Sequence, residues 1–244
     1  MRGAARVLMV GMGGLGCPAS MALARAKIGT LALADDDDVD LSNLHRQILY
    51  AESSVGNPKV DEAAAALLRL APGLVVERVG SRILPENARA LVSGFDVVVE
   101  GSDNFATKFL AADACAQEGV AIVHGAAVRW IGTALAVGPR GRPCYRCVFE
   151  DIPSGAQAGC NDAGVMGPMV GVVGALMADL AIALVDGRDV AGSLVTYDAR
   201  TDALRRRTVA ARPGCALCGD TPAITTIDEL RYAARSSQPT GGAR

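Results

Sequence analysis

The chain alternates short aliphatic runs with longer stretches rich in Ala and Leu, and this alternation constrains the fold more than any other feature. Five runs have the length and composition of buried strands: RVLMV, TLALA, LVVERV, FDVVVE and VAIVHG. Helix-forming stretches, such as residues 61–70 and 106–117, lie between them. This order predicts a mostly parallel sheet with helices on both faces and a ligand crevice at the carboxyl ends of the strands.

Beyond Gly125 the alternation gives way to segments that are typical of antiparallel strands. AAVRWIGTALAV follows the fifth run, and SLVTYDA and ALRRRTVA are close enough to form a hairpin that turns at residues 200–202. The predicted fold class is therefore α/β with an antiparallel C-terminal extension. Residues 1–219 are expected to form a single domain, and residues 220–244 a tail that is disordered or partly helical.

One segment, AGVMGPMVGVVGALMADLAIALV at residues 163–185, is apolar enough for either a membrane span or a buried helix. Asp179 lies inside it, and Pro168 falls where a first helical turn tolerates proline. Because 50% of the chain is hydrophobic, a core helix of this composition needs no lipid. The sequence favours the core helix and predicts no membrane association.

The charge balance excludes some classes of partner. The chain has 24 basic and 26 acidic residues, a formal net charge of −2, so it lacks the basic excess that a nucleic-acid binder uses to neutralise phosphates. The first apolar run begins at Arg6, which leaves no room for a signal peptide. We therefore expect a cytoplasmic protein that does not bind nucleic acid.

Four of the seven cysteines form two C-x-x-C pairs, Cys144 with Cys147 and Cys215 with Cys218. Without a secretory signal, two such pairs predict a tetrahedral, structural Zn²⁺ site. The alternative, a redox-active dithiol, explains one pair but not two. Cys17 and Cys115 are expected to pack on helix faces, and His45 and His124 have no recognisable partner in the sequence.

A glycine-rich loop, GMGGLG at residues 11–16, directly follows the first run and precedes a predicted helix. Glycines let the backbone approach a phosphate, and the N-terminus of the helix favours its negative charge. Asp35 follows the second strand, 24 residues after Gly11, where a Rossmann-like fold places an acid that binds ribose hydroxyls. Together these features predict a nucleotide site, in which Asp37 could assist with ribose or metal.

Two cations close to this acid favour a nucleoside triphosphate as the ligand over a dinucleotide. Arg46 and Lys59 lie in NLHRQ and NPKV, and cations in such a site stabilise a pyrophosphate leaving group, which favours ATP with Mg²⁺. Asp103 and Asn104 follow the fourth strand and offer oxygen ligands to the metal. A structural alternative for Asp103 is that it caps the following helix.

The motifs GMGGLG, DDDDVDLSNLHRQ, NPKV, SDN, CYRC, GCNDAGVMGPMVGVVG and GCALCG occur in this order between residues 6 and 219. In this set the chain resembles the ThiF/MoeB/HesA adenylyltransferases, relatives of ubiquitin-activating enzymes, and ADDDDV and RQIL resemble the ThiF branch slightly more. The resemblance implies ATP-dependent adenylation of the C-terminal Gly-Gly carboxylate of a ubiquitin-like sulfur-carrier protein, for thiamine or molybdopterin biosynthesis.

The resemblance also implies roles for individual residues. Arg46, Lys59 and Asp103 are expected to act in adenylation, and Cys160 lies where ThiF-like members keep a cysteine implicated in sulfur transfer. The residues implied to bind ATP or its Mg²⁺ are Gly11, Gly13, Gly14, Asp35, Asp37, Asn43, Arg46, Gln47, Lys59, Asp103 and Asn104. A homodimer, and a cysteine desulfurase or rhodanese as sulfur donor, are the further partners expected.

Alternatives remain open at this stage. Cys160 could be a spare thiol without a role. The whole chain could be an NAD-dependent oxidoreductase, although hydride transfer needs neither the two cations nor the zinc site. It could also be a non-catalytic, zinc-stabilised nucleotide-binding protein.

Overall fold

A computed structural model describes residues 2–153 and 164–232. These residues contain one eight-stranded sheet in the order β3-β2-β1-β4-β5-β6-β7-β8. The strands are β1 Arg6–Val10, β2 Thr30–Ala34, β3 Val75–Val79, β4 Val97–Glu100, β5 Ala121–Val128, β6 Ile131–Val137, β7 Ser193–Asp198 and β8 Ala203–Thr208. The helices are α1 Gly16–Arg25, α2 Lys59–Leu70, α3 Ala88–Val92, α4 Phe105–Glu118, α5 Gly167–Val185 and α6 Glu229–Tyr232.

The sheet changes character at β5. Strands β1 to β5 pair in parallel, whereas β6, β7 and β8 are added antiparallel to it. The last two strands form the predicted hairpin, in which Ala203 pairs with Asp198 and Asp202 in the turn has a φ of 50°. Both the parallel core and the antiparallel extension are thus confirmed.

Successive side chains of the central strands point to opposite faces, and each face has its own core. In β1, Val7 and Met9 pack under α1, α2 and α5, whereas Leu8 and Val10 pack under α3 and α4. The central strands are buried on both faces, which is why their sequences are continuous aliphatic runs rather than alternating ones. This confirms the prediction of helices on both faces.

The long apolar helix α5 lies in the first of these cores. By length and composition it could cross a membrane, and half of that segment is buried inside the protein. Glycines let it approach the sheet closely: a Cβ at Gly125 would lie 2.1 Å from Sδ of Met177, and one at Gly132 would lie 2.1 Å from Cγ2 of Val173. Packing against β5, β6 and α1 accounts for the apolar residues on its buried side, among them Val173 and Met177.

The residues that follow position 219 also contact the core. Ile224 and Tyr232 are buried, and the hydroxyl of Tyr232 donates a 2.7 Å hydrogen bond to the carboxylate of Asp113 on α4. Asp113 also accepts two hydrogen bonds from Arg146, at 2.9 and 2.8 Å. Residues 220–232 are therefore anchored to the same face of the sheet as α4.

Candidate functional site: a nucleotide cleft and a four-cysteine cluster

The glycine loop joins β1 to α1 at the carboxyl edge of the sheet. Gly11 has a φ of +86°, a left-handed conformation that glycine adopts without strain. A Cβ at Gly16 would lie 2.0 Å from the carbonyl oxygen of Gly11, so only glycine lets α1 begin this close to the strand. The loop therefore presents its backbone, without side chains, to the cleft beside it.

Asp35 directly follows β2 and is tied to this loop. Its carboxylate accepts hydrogen bonds from the backbone N–H groups of Met12, at 2.6 Å, and Asp37, at 2.9 Å. Burial raises the pKa of Asp35, and the charge of Lys59 opposes that rise. The arrangement leaves a fixed, largely buried acceptor at the edge of the cleft, as ribose binding requires.

Charged side chains from three loops surround this carboxylate. Lys59 begins α2, and its Nζ lies 2.6 Å from Oδ2 of Asp37 and 4.0 Å from Oδ1 of Asp35. Arg82, just past β3, donates from Nε to the carboxylate of Asp36 at 3.0 Å. Asp36 and Asp37 are thus both paired with cations.

The turn after the acidic run places the second predicted cation. Nη2 of Arg46 donates a 2.5 Å hydrogen bond to Oδ1 of Asn43. Oε1 of Gln47 is buried with no hydrogen-bond partner among the residues described, and a ligand donor in the cleft would satisfy it. The turn rests on the start of α5, because a Cβ at Gly167 would lie 2.6 Å from the carbonyl oxygen of His45.

Asn104, and not Asp103, caps helix α4. Its Oδ1 accepts a 2.8 Å hydrogen bond from the backbone N–H of Thr107, so the capping role considered for Asp103 belongs to its neighbour. Asp103 is exposed and lines the cleft. A carboxylate beside a site for phosphates fits the hard oxygen ligands that Mg²⁺ prefers.

The structure brings the predicted ATP-binding set together. Every one of those residues lines a single cleft: Gly11, Gly13, Gly14, Asp35, Asp37, Asn43, Arg46, Gln47, Lys59, Asp103 and Asn104. Sequence reasoning missed other lining residues, among them Arg82, Ile83, Ser102, Thr107, Ala126 and Ala127. Arg82 and Ile83 could have been found from their position just beyond the third strand, on the same edge of the sheet.

A buried charged cluster behind the cleft was also missed. Nζ of Lys108 donates a 2.8 Å hydrogen bond to Glu100, and Nδ1 of His124 lies 3.4 Å from the same carboxylate. His124, for which the sequence offered no recognisable partner, therefore contacts Glu100 in the folded chain. Nothing in the sequence pattern signals this cluster, since its members come from three different elements.

The four cysteines of the two C-x-x-C pairs lie close together, as predicted. Their Sγ atoms all lie within 4.8 Å of one another, with separations of 3.9 Å for Cys144–Cys147, 3.5 Å for Cys144–Cys215 and 3.4 Å for Cys147–Cys218. Sulfurs in a tetrahedron with Zn–S bonds of about 2.3 Å are about 3.8 Å apart. The donor set therefore fits zinc.

Three of these thiols have shifted pKa values. Burial raises the pKa of Cys144, and it raises that of Cys218 to about 11, so these thiols would stay protonated unless a cation were present. Although Cys215 is partly buried, N–H groups of Cys218 and Leu217 lower its pKa to about 7. Backbone N–H groups within the cluster thus favour the thiolate form of Cys215, which is the form that binds zinc.

The remaining three cysteines are Cys17, Cys115 and Cys160. Cys17 and Cys115 are fully buried in the cores, and burial raises the pKa of Cys17 to about 12 and also raises that of Cys115. They are packing residues, as expected. Cys160 lies outside the residues that the structure describes.

Comparison with known proteins adds independent evidence. A family model described as the ThiF family matches residues 3–217. The chain belongs to the ThiF family. It is 40% identical over 230 residues to the SAMP-activating enzyme E1 of Haloferax volcanii, which covers 93% of this chain and 84% of that protein. It is 42% identical over 233 residues to the adenylyltransferase and sulfurtransferase MOCS3 of Sus scrofa, covering 92% of this chain and 50% of that protein.

The ThiF-family chain thus spans about half the length of its MOCS3 relatives. Among solved structures it is similar to the crystal structure of E. coli MccB with MccA-N7isoASN, with a TM-score of 0.80 at 21% identity. That match covers 90% of this chain and 68% of MccB, and it supports the fold. The family and its relatives agree with the adenylyltransferase class that the motifs predicted.

Proposed function

We propose that this chain uses ATP to adenylate the C-terminal Gly-Gly carboxylate of a ubiquitin-like sulfur-carrier protein. The observation that carries the proposal is that one cleft brings together a glycine loop, the ribose acid Asp35, the cations Arg46 and Lys59, and the carboxylate of Asp103. Relatives named SAMP-activating enzyme E1 and adenylyltransferase MOCS3 support the choice of substrate.

Each group in the cleft has a task in this reaction. The carrier carboxylate attacks the α-phosphorus of ATP, a new bond forms between carboxylate oxygen and phosphorus, and the bond to pyrophosphate breaks. Negative charge grows on the departing pyrophosphate, and Arg46 and Lys59, two of the three cations that line the cleft in the described part of the chain, could stabilise it. The glycine loop and Asp35 would hold the phosphates and ribose in place.

Two metals have separate tasks. Asp103, with Asn104 beside it, would hold Mg²⁺, which neutralises phosphate charge when bound. The four cysteines Cys144, Cys147, Cys215 and Cys218 would hold a structural Zn²⁺ and leave no open ligand position. The cysteine cluster joins the turn after β6 to the segment after β8 and takes no part in adenylation.

The proposal extends to the partners predicted from the sequence. Residues 1–219 would act as one adenylation domain in a cytoplasmic homodimer. A cysteine desulfurase or rhodanese would supply sulfur to a carrier of thiamine or molybdopterin biosynthesis. After adenylation, the thiol of Cys160 would attack the acyl-adenylate, forming a thioester and releasing AMP.

ATP–pyrophosphate exchange with candidate carriers tests the proposal. Asp103→Ala should lower exchange by about 10²–10³-fold, by analogy with the loss of one electrostatic contact in a transition state. Asp38→Ala is the matched control, because Asp38 is an exposed aspartate like Asp103 but does not line the cleft.

Cys160→Ala should retain exchange and lose only sulfur transfer. Absence of exchange in the parent protein with carriers of either pathway would reject adenylation. Equal loss in Asp103→Ala and Asp38→Ala would reject the role of Asp103.

A further inference from the structure

The segment Gly101–Ser102–Asp103 connects the end of β4 to the start of α4 and forms one wall of the cleft. It touches the glycine loop directly, since a Cβ at Gly11 would lie 3.1 Å from the backbone nitrogen of Ser102. The N–H of Gly101 also donates to the carbonyl oxygen of Val10, at 2.9 Å. The position of this segment therefore determines where Asp103 stands relative to the nucleotide loop.

A single buried carboxylate holds the segment from behind. Oε1 of Glu100, the last residue of β4, accepts hydrogen bonds from both the backbone N–H of Ser102, at 2.7 Å, and the hydroxyl of Ser102. Two donors from one residue to one oxygen fix the orientation of that residue, because rotation about either bond breaks a contact. Ser102 is the immediate neighbour of Asp103.

The other oxygen of Glu100 is held by Lys108. Nζ of Lys108 lies 2.8 Å from Oε2 of Glu100 and donates a second hydrogen bond of 2.5 Å to the carbonyl oxygen of Gly125 on β5. Residues 126 and 127, which follow on β5, line the cleft. Lys108 therefore links the segment that carries Asp103 to β5, the neighbouring strand, whose next residues also line the cleft.

The cluster is charged although it is deeply buried. The side chain of Glu100 is 0% exposed and that of Lys108 is 5% exposed. Burial alone would raise the pKa of Glu100, but the charge of Lys108 and the contact with His124 together lower it to about 2. Burial also lowers the pKa of His124, which favours a neutral imidazole beside the Glu100 carboxylate.

We propose that Glu100, held by Lys108, is the positioning residue that fixes Ser102 and Asp103 for the metal ion of bound ATP. A neutral or apolar pair of similar volume would fill the same space at lower desolvation cost. The charged pair can orient Ser102, because each oxygen of Glu100 accepts hydrogen bonds from its own donors. The inference rests on the proposed function only for the identity of the ligand, a metal–nucleotide complex.

Mn²⁺ binding in the presence of α,β-methylene-ATP, followed by electron paramagnetic resonance, tests this role without turnover. Loss of a group that orients a metal ligand costs roughly 10–100-fold in metal affinity. We expect a loss of this size in Glu100→Gln and in Ser102→Ala, whereas Lys108→Arg, which retains the charge, should lose less than Lys108→Met.

The matched control is Asp113→Asn. It disrupts a different buried ion pair, between Asp113 on α4 and Arg146, and does not touch the segment Gly101–Asp103. It should lower thermal stability while Mn²⁺ affinity stays within about threefold of the parent. Ser102→Ala leaves no buried charge unpaired. If Glu100→Gln fails to fold, the Mn²⁺ affinity of Ser102→Ala therefore tests the positioning role on its own.

Unchanged Mn²⁺ affinity in folded Ser102→Ala and Glu100→Gln would overturn the inference, as would an equal loss in Asp113→Asn. A parent protein that forms no Mn²⁺–analogue complex would overturn it as well. If the complex forms and responds to the variants while no carrier supports pyrophosphate exchange, the positioning role stands and the proposed carrier adenylation fails.

Discussion

Replacing Lys59 with methionine should reduce ATP–pyrophosphate exchange sharply while leaving the protein folded. The side chain of Lys59 is 5% exposed, and its Nζ contacts Asp37 and lies 4.0 Å from Asp35. Methionine fills nearly the same volume without the charge. The substitution therefore removes one cation from the cleft and leaves the packing at the start of α2 intact.

Two effects set the size of the loss. A missing electrostatic contact to the reacting phosphates costs about 10²–10³-fold in rate. The second effect acts through Asp35, because the charge of Lys59 is the main factor that holds the pKa of this buried carboxylate down. Without it the pKa of Asp35 rises further, so the acid limb of exchange against pH should move to higher pH. The exposed partner Asp37 loses a pair worth only about 0–1 kcal/mol.

The assay is exchange at saturating ATP and carrier, measured from pH 5.5 to pH 9, with circular dichroism as a check on folding. Lys27→Met is the matched control, since Lys27 is exposed at the end of α1 and does not line the cleft. It should stay within about twofold of the parent. Exchange by Lys59→Met within a few-fold of the parent, or an unmoved acid limb, would refute the reasoning.

Three further outcomes are expected. Metal analysis of freshly reduced protein should give about one zinc per chain, and Cys215→Ser should release it; protein isolated without metal would contradict this. Arg146→Met should lower the free energy of unfolding by about 3–5 kcal/mol, because fully buried Asp113 loses both hydrogen bonds from Arg146. For a chain of this size that is roughly 6–20 °C in Tm, and a shift below about 2 °C would count against it. Unfolding stability should also fall below about pH 6.5, by up to about 1.4 kcal/mol per pH unit, because the unfolded chain protonates His124 whereas burial lowers its pKa in the folded state; His124→Gln should remove that slope in urea titrations, and an unchanged slope would reject the assignment.

Local sequence signals sufficed for the strands and for the cleft residues that sit on loops. Gly11, Asp35 and Asp103 each follow a strand that is recognisable on its own, and the carboxyl ends of parallel strands share one edge, so their meeting could be predicted. The cysteine cluster was predictable because its spacing is itself the signal.

The groups behind the cleft could not be predicted in this way. Whether Lys108 points to solvent or into the core depends on how α4 rotates against β4 and β5, and no periodic pattern in a helix buried over most of its length reveals that rotation. The partners of Lys108, Glu100 and Gly125, lie on strands that precede and follow the helix. Only tertiary packing decides that the three meet.

The seating of α5 on glycines has a consequence for building chimaeras within the family. Gly167 leaves room for the carbonyl of His45, and Gly174 leaves room for α1, where a Cβ would lie 2.9 Å from the carbonyl oxygen of Leu15. The loop that carries Arg46 thus packs against a helix more than a hundred residues later in the chain. Transplanting that loop alone into a relative would separate it from its support, so loop and helix have to be exchanged as one unit.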